Sequence, residues 1–396
     1  MISFIKSIVF LGPVCLMVSL SAHGQQGDMH DAYNGNSKFK RPLSVPSNEA
    51  TKKQLALAKA EGDAVDRCVN WLIKNPGEYA GTQNAGEYKV TWILSRPEGW
   101  YVYNDHRVSW ISPAHVNAHL WLFVQDGADH RIVPPLDISL AVLNSRGETL
   151  FETKLPYAWM PLINGYGNNI ELPGNGDYTF SVKINPPSYH RHDPYNGDRF
   201  TDETYLQVPV AVNLDRISSK QPLSEAMEKQ KDLARLAGHA YAHTLKNMYK
   251  QANDGRDTVI GDYKIAFAVE YAEGFWDYEH GVFRYKVEND MSGRTNAHVE
   301  IAPLDAKTGR FLDNLNVTAT LFKKDKKIGS MHEHFMWHPW LYHYGDNWRV
   351  PSAGNYNLQV QFEPPAYRRY GRTDGRQFLL QVDFIFNNIK IKTGQK

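Results

Sequence analysis

The chain has 396 residues, 42% hydrophobic and 12% aromatic, which is enough to bury substantial cores, and its length alone predicts two domains. Its 44 basic and 43 acidic residues are interspersed and leave a formal net charge of +1. That balance gives no electrostatic reason for binding nucleic acid or an anionic membrane surface, and neither is expected.

Residues 1–24 read as an export signal: Lys6 supplies the positive start, Ile8 to Leu20 is apolar, and Ala22-His23-Gly24 flanks a cleavage site before Gln25. The apolar run is interrupted by Gly12-Pro13 and is short for a membrane span, so the expected compartment is the periplasm. Cys15 goes with the signal, which leaves Cys68 as the only thiol, without a disulfide partner and read as a buried small hydrophobe. A leader rich in Gly, Asn, Ser and Pro follows over 25–48.

A helix is predicted over 49–76, because Leu55, Ala58, Val65, Val69 and Leu72 recur at helical spacing before Asn75-Pro76-Gly77. From residue 85 to 214 the pattern changes to short strands: Tyr88 to Leu94, His119 to Val124, Ile138 to Leu143, Tyr178 to Ile184 and Tyr205 to Val212. A second helix is expected over 222–254, continuous from Ser224 to about Gln251. Strands return over 259–392, at Tyr263 to Val269, Val282 to Val287, His298 to Ile301, Val317 to Phe322, Tyr356 to Phe362 and Phe378 to Phe386. The expected architecture is mostly β: two tandem antiparallel sandwiches, each preceded by an α-helix.

The two halves repeat each other. Trp159-Met160-Pro161 and Trp337-His338-Pro339 align at an offset of 178, which holds through Pro186-Pro187 and Pro364-Pro365 to Phe200 and Phe378. Upstream, Asn117-Ala118-His119 matches Asn296-Ala297-His298, and Gly86-Glu87-Tyr88-Lys89 matches Gly261-Asp262-Tyr263-Lys264, with small length changes between motifs where loops absorb them.

Histidine, methionine and carboxylate side chains gather at these motifs. His298 and Glu300 alternate onto one face of a strand, and His332, His334, Met336 and His338 are spaced by two, so extended chain would line all four along one face. His343 follows in the next turn. The first copy offers His119, Met160 and the pair His190 and His192, with Trp121 in the place of Glu300, Gly165 in that of His343, and Tyr370 of the second copy in that of His192. Each copy thus holds three of a possible four ligands. Imidazole with thioether suits copper, and an added carboxylate admits iron or zinc. His239 and His243 share a helix face but lack a following acidic residue, and read as surface or packing residues.

These motifs resemble the bacterial periplasmic iron (Fe2+) transport protein family: His298-Val299-Glu300 with its degenerate copy His119-Leu120-Trp121, Met160-Pro161 with Tyr166-Gly167-Asn168-Asn169, His338-Pro339 with His343-Tyr344-Gly345-Asp346-Asn347, and Arg191-His192-Asp193 after Pro186-Pro187. The resemblance implies immunoglobulin-like sandwiches that bind copper and iron beside an inner-membrane iron permease. Family members resemble single sandwiches that pair as homodimers, so a tandem chain would be an intrachain pseudo-dimer. The metal residues implied are His298, Glu300, His338, His343, His119, Met160 and His192, with Met336, His334 and His332 as additional candidates.

No catalytic motif for acyl or phosphoryl transfer is present in the sequence, and no enzymatic turnover is expected. Two alternatives are an exported sandwich for adhesion or glycan binding, in which the histidines are incidental, and a copper oxygenase in which cleavage after Ala22 makes His23 amino-terminal.

Overall fold

Residues 49–75, 79–279, 282–286 and 295–394 are described by the computed structural model. The expected signal and leader, with Cys15 and His23, lie outside them, as do Pro76-Gly77 and Val287. Helix α1 (Lys52–Lys74) opens on a capping box in which Thr51 and Gln54 exchange side-chain-to-backbone hydrogen bonds, and it buries Ala58, Val65, Cys68, Val69 and Leu72. No described helix is long and apolar enough to cross a membrane.

The second helical stretch is broken where one continuous helix was expected, into α2 (Leu214–Ser218), α3 (Leu223–Met227) and α4 (Lys231–Gln251). Two carboxylates hold the ends of α3. Buried Glu98 accepts the Leu223 and Ser224 amides and the Ser224 hydroxyl, and Glu228 accepts the amides of Thr373 and Asp374. Helices α1 and α4 lie antiparallel against each other: Gln54 donates to Gln251 at 3.3 Å near one end, and the Cys68 thiol donates to the Leu233 carbonyl at 3.5 Å near the other. Each helix meets a loop at a glycine. A Cβ on Gly62 would lie 1.7 Å from the Asp129 carbonyl oxygen, and one on Gly238 1.9 Å from that of Thr308.

The first half contributes β1 (Tyr79–Ala85), β2 (Tyr88–Ser95), β3 (Trp100–Asn104), β4 (Arg107–Ile111), β5 (Ala118–Asp126), β6 (Ile138–Asn144), β7 (Thr149–Lys154), β8 (Tyr157–Trp159), β9 (Gly165–Ile170), β10 (Gly176–Ile184), β11 (His190–Arg191) and β12 (Thr204–Val212). The second contributes β13 (Asp254–Ile260), β14 (Tyr263–Glu270), β15 (Phe275–Glu279), β16 (Val282–Lys286), β17 (Ala297–Asp305), β18 (Val317–Lys323), β19 (Lys326–Trp337), β20 (His343–Trp348), β21 (Gly354–Phe362), β22 (Arg368–Tyr370) and β23 (Val382–Ile391). The protein is mostly β, as the strand spacing predicts. Alternating residues such as Leu120, Leu122 and Val124 of β5 meet Leu140 and Val142 of β6 and Phe180 and Val182 of β10 in one apolar core between sheets.

The two long sheets follow one order. The first runs β1-β2-β5-β9-β8-β22-β3-β4 and the second β13-β14-β17-β20-β19-β11-β15-β16. The sixth strand of each comes from the other half. β22 pairs parallel with β8 and antiparallel with β3, while β11 pairs parallel with β19 and antiparallel with β15. The halves are therefore interlocked by exchanged strands rather than strung as separate beads. Two buried arginines add to the lock: Arg131 donates to the carbonyls of His338 and Pro339, and Arg310 donates to those of Met160 and Pro161.

One expected strand starts later. Phe378 precedes β23 in a left-handed conformation (φ 62°), its amide donating to Asp262 and its carbonyl accepting from Arg369. Phe200 at the matching place has φ 60° and donates its amide to Glu87. Both are buried rings whose backbone is turned by a carboxylate from the other end of the same half.

Candidate metal centre

The exchanged strand β11 carries His192 out of its own half and into the second sheet. There it meets three histidines of the second half: His298 on β17, His343 at the start of β20, and His338 just beyond β19. The His192 ring centroid lies 5.1 Å from those of His298 and His338 and 5.3 Å from that of His343. His298 and His343 are 5.7 Å apart and His338 and His343 6.2 Å. All four are buried. One ring-nitrogen atom each from His192, His298 and His343 falls within 4.8 Å of the others.

Each ligand's orientation has a local cause. Asn347, next to last in β20, holds His298 Nδ1 at 2.9 Å, which leaves Nε2 pointing at His343 Nε2, 3.5 Å away. Asn347 is in turn fixed by the backbone of Glu273, whose carbonyl accepts from Asn347 and whose amide donates to it. The Glu273 carboxylate approaches His192 Nδ1 at 3.3 Å, and that of Glu49 approaches His338 Nε2 at 3.9 Å. Met336 brings its sulfur to 3.0 Å from His192 Nε2. Glu300, two residues beyond His298 on the same face of β17, is buried with it.

This donor set fits a first-row transition metal. Two imidazole nitrogens bound tetrahedrally to one ion stand about 3.4 Å apart, against the 3.5 Å between His298 and His343. Four imidazoles and a thioether favour copper, and the carboxylates of Glu273, Glu49 and Glu300 extend the set toward ferrous iron. Trp340 packs edge-on against His338 at 5.6 Å and donates to the Glu49 carbonyl, walling the cluster from water.

The sequence groups His119 and Met160 with His192, and the structure separates them. His119 lies on β5 in the first sheet, its Nδ1 bonded to Asn169 at 2.8 Å just as His298 is bonded to Asn347. Around it stand Trp121 at 4.1 Å and Tyr370, carried in on β22, at 5.4 Å. Met160 is buried in the same apolar cluster with Trp121, Trp100 and Tyr370. The positions that hold His343, Glu300 and His192 in the second sheet hold Gly165, Trp121 and Tyr370 here, so aromatic rings fill the space. Burial pushes His119 down to about 3, against the hydrogen bond it makes to the Asn169 carbonyl oxygen.

His332, His334, Met336 and His338 do not share one face. β19 pairs with β18 up to Glu333 and with β20 from His334 onward, passing from one sheet to the other, and His338 lies past its end. Met336 and His338 are buried in the cluster, whereas His332 and His334 are exposed with rings 5.3 Å apart. His239 and His243 are exposed on α4. Burial holds the Cys68 thiol up at about 11, in keeping with a packing role.

Two carboxylates beside the cluster, Glu273 and Glu49, are absent from the residues singled out by sequence. Glu273-Gly274-Phe275 matches Glu98-Gly99-Trp100 at the offset of 175 that relates Gly261 to Gly86, so the repeat alignment, extended that far, points to the first. No such signal marks Glu49, which reaches the site only through the packing of the segment before α1.

Residues 282–387 match the Fe2+ transport protein family. That stretch holds the family motifs of the second half, including His298, His338 and His343. Among solved structures, FetP from uropathogenic E. coli strain F11 is 23% identical over 35% of this chain and 95% of FetP, with a TM-score of 0.28. The copper-reconstituted P19 protein from Campylobacter jejuni is 12% identical over 36% of this chain and 95% of P19, also with a TM-score of 0.28. No curated protein matches the chain.

Proposed function

We propose that this chain is an exported, periplasmic metal-binding protein that carries iron, with copper as alternative or auxiliary cargo, to an inner-membrane iron permease, and that it does so without catalytic turnover. The observation that carries the reading is the convergence of His192 from the first half with His298, His338 and His343 from the second, rings 5.1–6.2 Å apart in a buried pocket. The match of residues 282–387 to Fe2+ transport proteins supports the cargo.

In this reading the chain is a fused pseudo-dimer in which the two exchanged strands make the site shared. One pocket keeps the ligands, and the other, around His119 and Met160, has become a packed core. The site residues proposed are His192, His298, His338 and His343, with Met336, Glu300, Glu273 and Glu49 close enough to complete or retune the set. Imidazole nitrogens bind in their neutral form; Asn347 Oδ1 accepts from His298 Nδ1, and the Glu273 carboxylate 3.3 Å from His192 Nδ1 favours the same tautomer, so that each ring presents the Nε2 lone pair inward.

Calorimetric titration of metal-stripped protein with Cu2+, and anaerobically with Fe2+, at neutral pH tests this. At least one tight equivalent per chain is expected for copper together with measurable ferrous binding. No heat with either metal sinks the proposal.

A further inference from the structure

One rung outward from the buried cluster, the same two strands carry a second set of donors. His192, just past the end of β11, and Met336 on β19 make the inner contact, and His190 and His334, two residues earlier along each segment, make an outer one with ring centroids 4.4 Å apart. His332 extends the row, 5.3 Å from His334. Each of the two closer imidazoles is held through one nitrogen by a carboxylate: His190 Nε2 lies 3.1 Å from Asp277, and His334 Nδ1 lies 3.5 Å from Asp346. That is how metal-binding histidines are commonly oriented, with the other nitrogen left as the ligand. His190 Nδ1 is buried and makes no hydrogen bond with the described residues. The His190 ring lies flat on Phe275 at 4.7 Å, which fixes its plane, while His334 opens to water.

The matching place in the first sheet shows what this spot accepts. There Arg368, the counterpart of His190, lies over the Trp100 ring at 4.1 Å and donates to Asn168 at 2.9 Å. Trp100 and Asn168 correspond to Phe275 and Asp346, while Pro156 and Lys154 replace His334 and His332. A permanent guanidinium therefore occupies the first site, and in the second the guanidinium is gone and imidazoles and carboxylates take its place.

We propose that His190, His332 and His334, backed by Asp277 and Asp346, form a second, solvent-facing site for a divalent transition-metal cation of imidazole preference. Two residues of extended chain, about 7 Å, separate it from the buried cluster. Its use as a loading post for that cluster rests on the cargo reading above; the existence of the site does not.

The experiment is a Cu2+ titration of the full mature chain with a chelator of known affinity as competitor, comparing wild type, the double variant His332→Ala/His334→Ala, and His343→Ala. Two equivalents are expected for wild type. The double variant should lose the weaker one, keep the tighter one within about twofold, and load the tighter one more slowly; both substitutions are on exposed residues, so folding is retained. His343→Ala should lose or weaken the tighter equivalent and keep the weaker. If the double variant retains both equivalents, the outer site is wrong while the buried one stands. If His343→Ala changes nothing and the double variant loses an equivalent, the cargo reading fails and the outer site survives. Should His343→Ala fail to fold, as judged by circular dichroism, His298→Ala replaces it with the same two outcomes.

Discussion

Replacing His192 by Ala tests the exchange of strands as much as the site. His192 is nearly equidistant from the three second-half imidazoles, at 5.1, 5.1 and 5.3 Å, so its removal takes away the donor that closes the cluster from the first-half side. The strand that brings it there is held by main-chain pairing, with the His192 amide donating to the Trp337 carbonyl at 2.9 Å, so the backbone should keep its path. Weakening a residue that merely orients a ligand costs roughly 10- to 100-fold in metal affinity. Losing a ligand should cost at least that, or about 1.4–2.7 kcal/mol. The control is His119→Ala, equally buried in the first sheet as the counterpart of His298, where aromatic rings rather than a second imidazole stand beside it, so copper affinity should stay within about twofold. Competition titrations against a chelator, with circular dichroism and thermal melts run in parallel, separate affinity from folding. Wild-type affinity in His192→Ala, or an equal loss in His119→Ala, would refute the reasoning.

Three further outcomes follow from the packing. Arg131→Ala removes the guanidinium that bonds the His338 and Pro339 carbonyls and strands the buried Asp129 carboxylate 2.8 Å away, so chemical denaturation should show a loss of about 3–5 kcal/mol. Gly62→Ala places a methyl group 1.7 Å from the Asp129 carbonyl and should lower stability by about 1–3 kcal/mol, whereas Gly174→Ala, with nothing within 4 Å, should leave the melting temperature nearly unchanged. Burial raises the Glu61 carboxyl from 4.5 to about 7 despite the opposing charge of Arg131. Because the folded chain then holds this proton more tightly than the unfolded one, the stabilisation is complete below about pH 4.5 and is lost as the pH rises through about 7, on the order of 3 kcal/mol in all. Glu61→Gln should flatten that part of the stability profile, as urea melts at pH 5 and pH 8 would reveal; an unchanged slope would remove Glu61 as its cause.

Local patterns are legible in the sequence itself. The alternation of Leu120, Leu122 and Val124 and the helical spacing of Ala58, Val65 and Val69 state their secondary structure because period is a property of neighbours in the chain. The repeat is legible too, and with it the residues of the centre: His298, His338, His343 and His192 are all ligand types at matching motifs. The separate start of α3 at Leu223 and the late start of β23 are not, since each depends on a carboxylate arriving from a distant segment, Glu98 in one case and Asp262 in the other.

Which histidines stand together is decided only in three dimensions. Along the chain, each half has three ligands and lacks a fourth; across the exchanged strands, His192 joins the second half and Tyr370 the first, so one pocket collects four imidazoles and the other collects aromatic rings. Spacing along the backbone reports which face a side chain takes within its own strand, but the partner of that strand is set by long-range pairing, here between β11 and β19 and between β22 and β8, whose register no local pattern encodes.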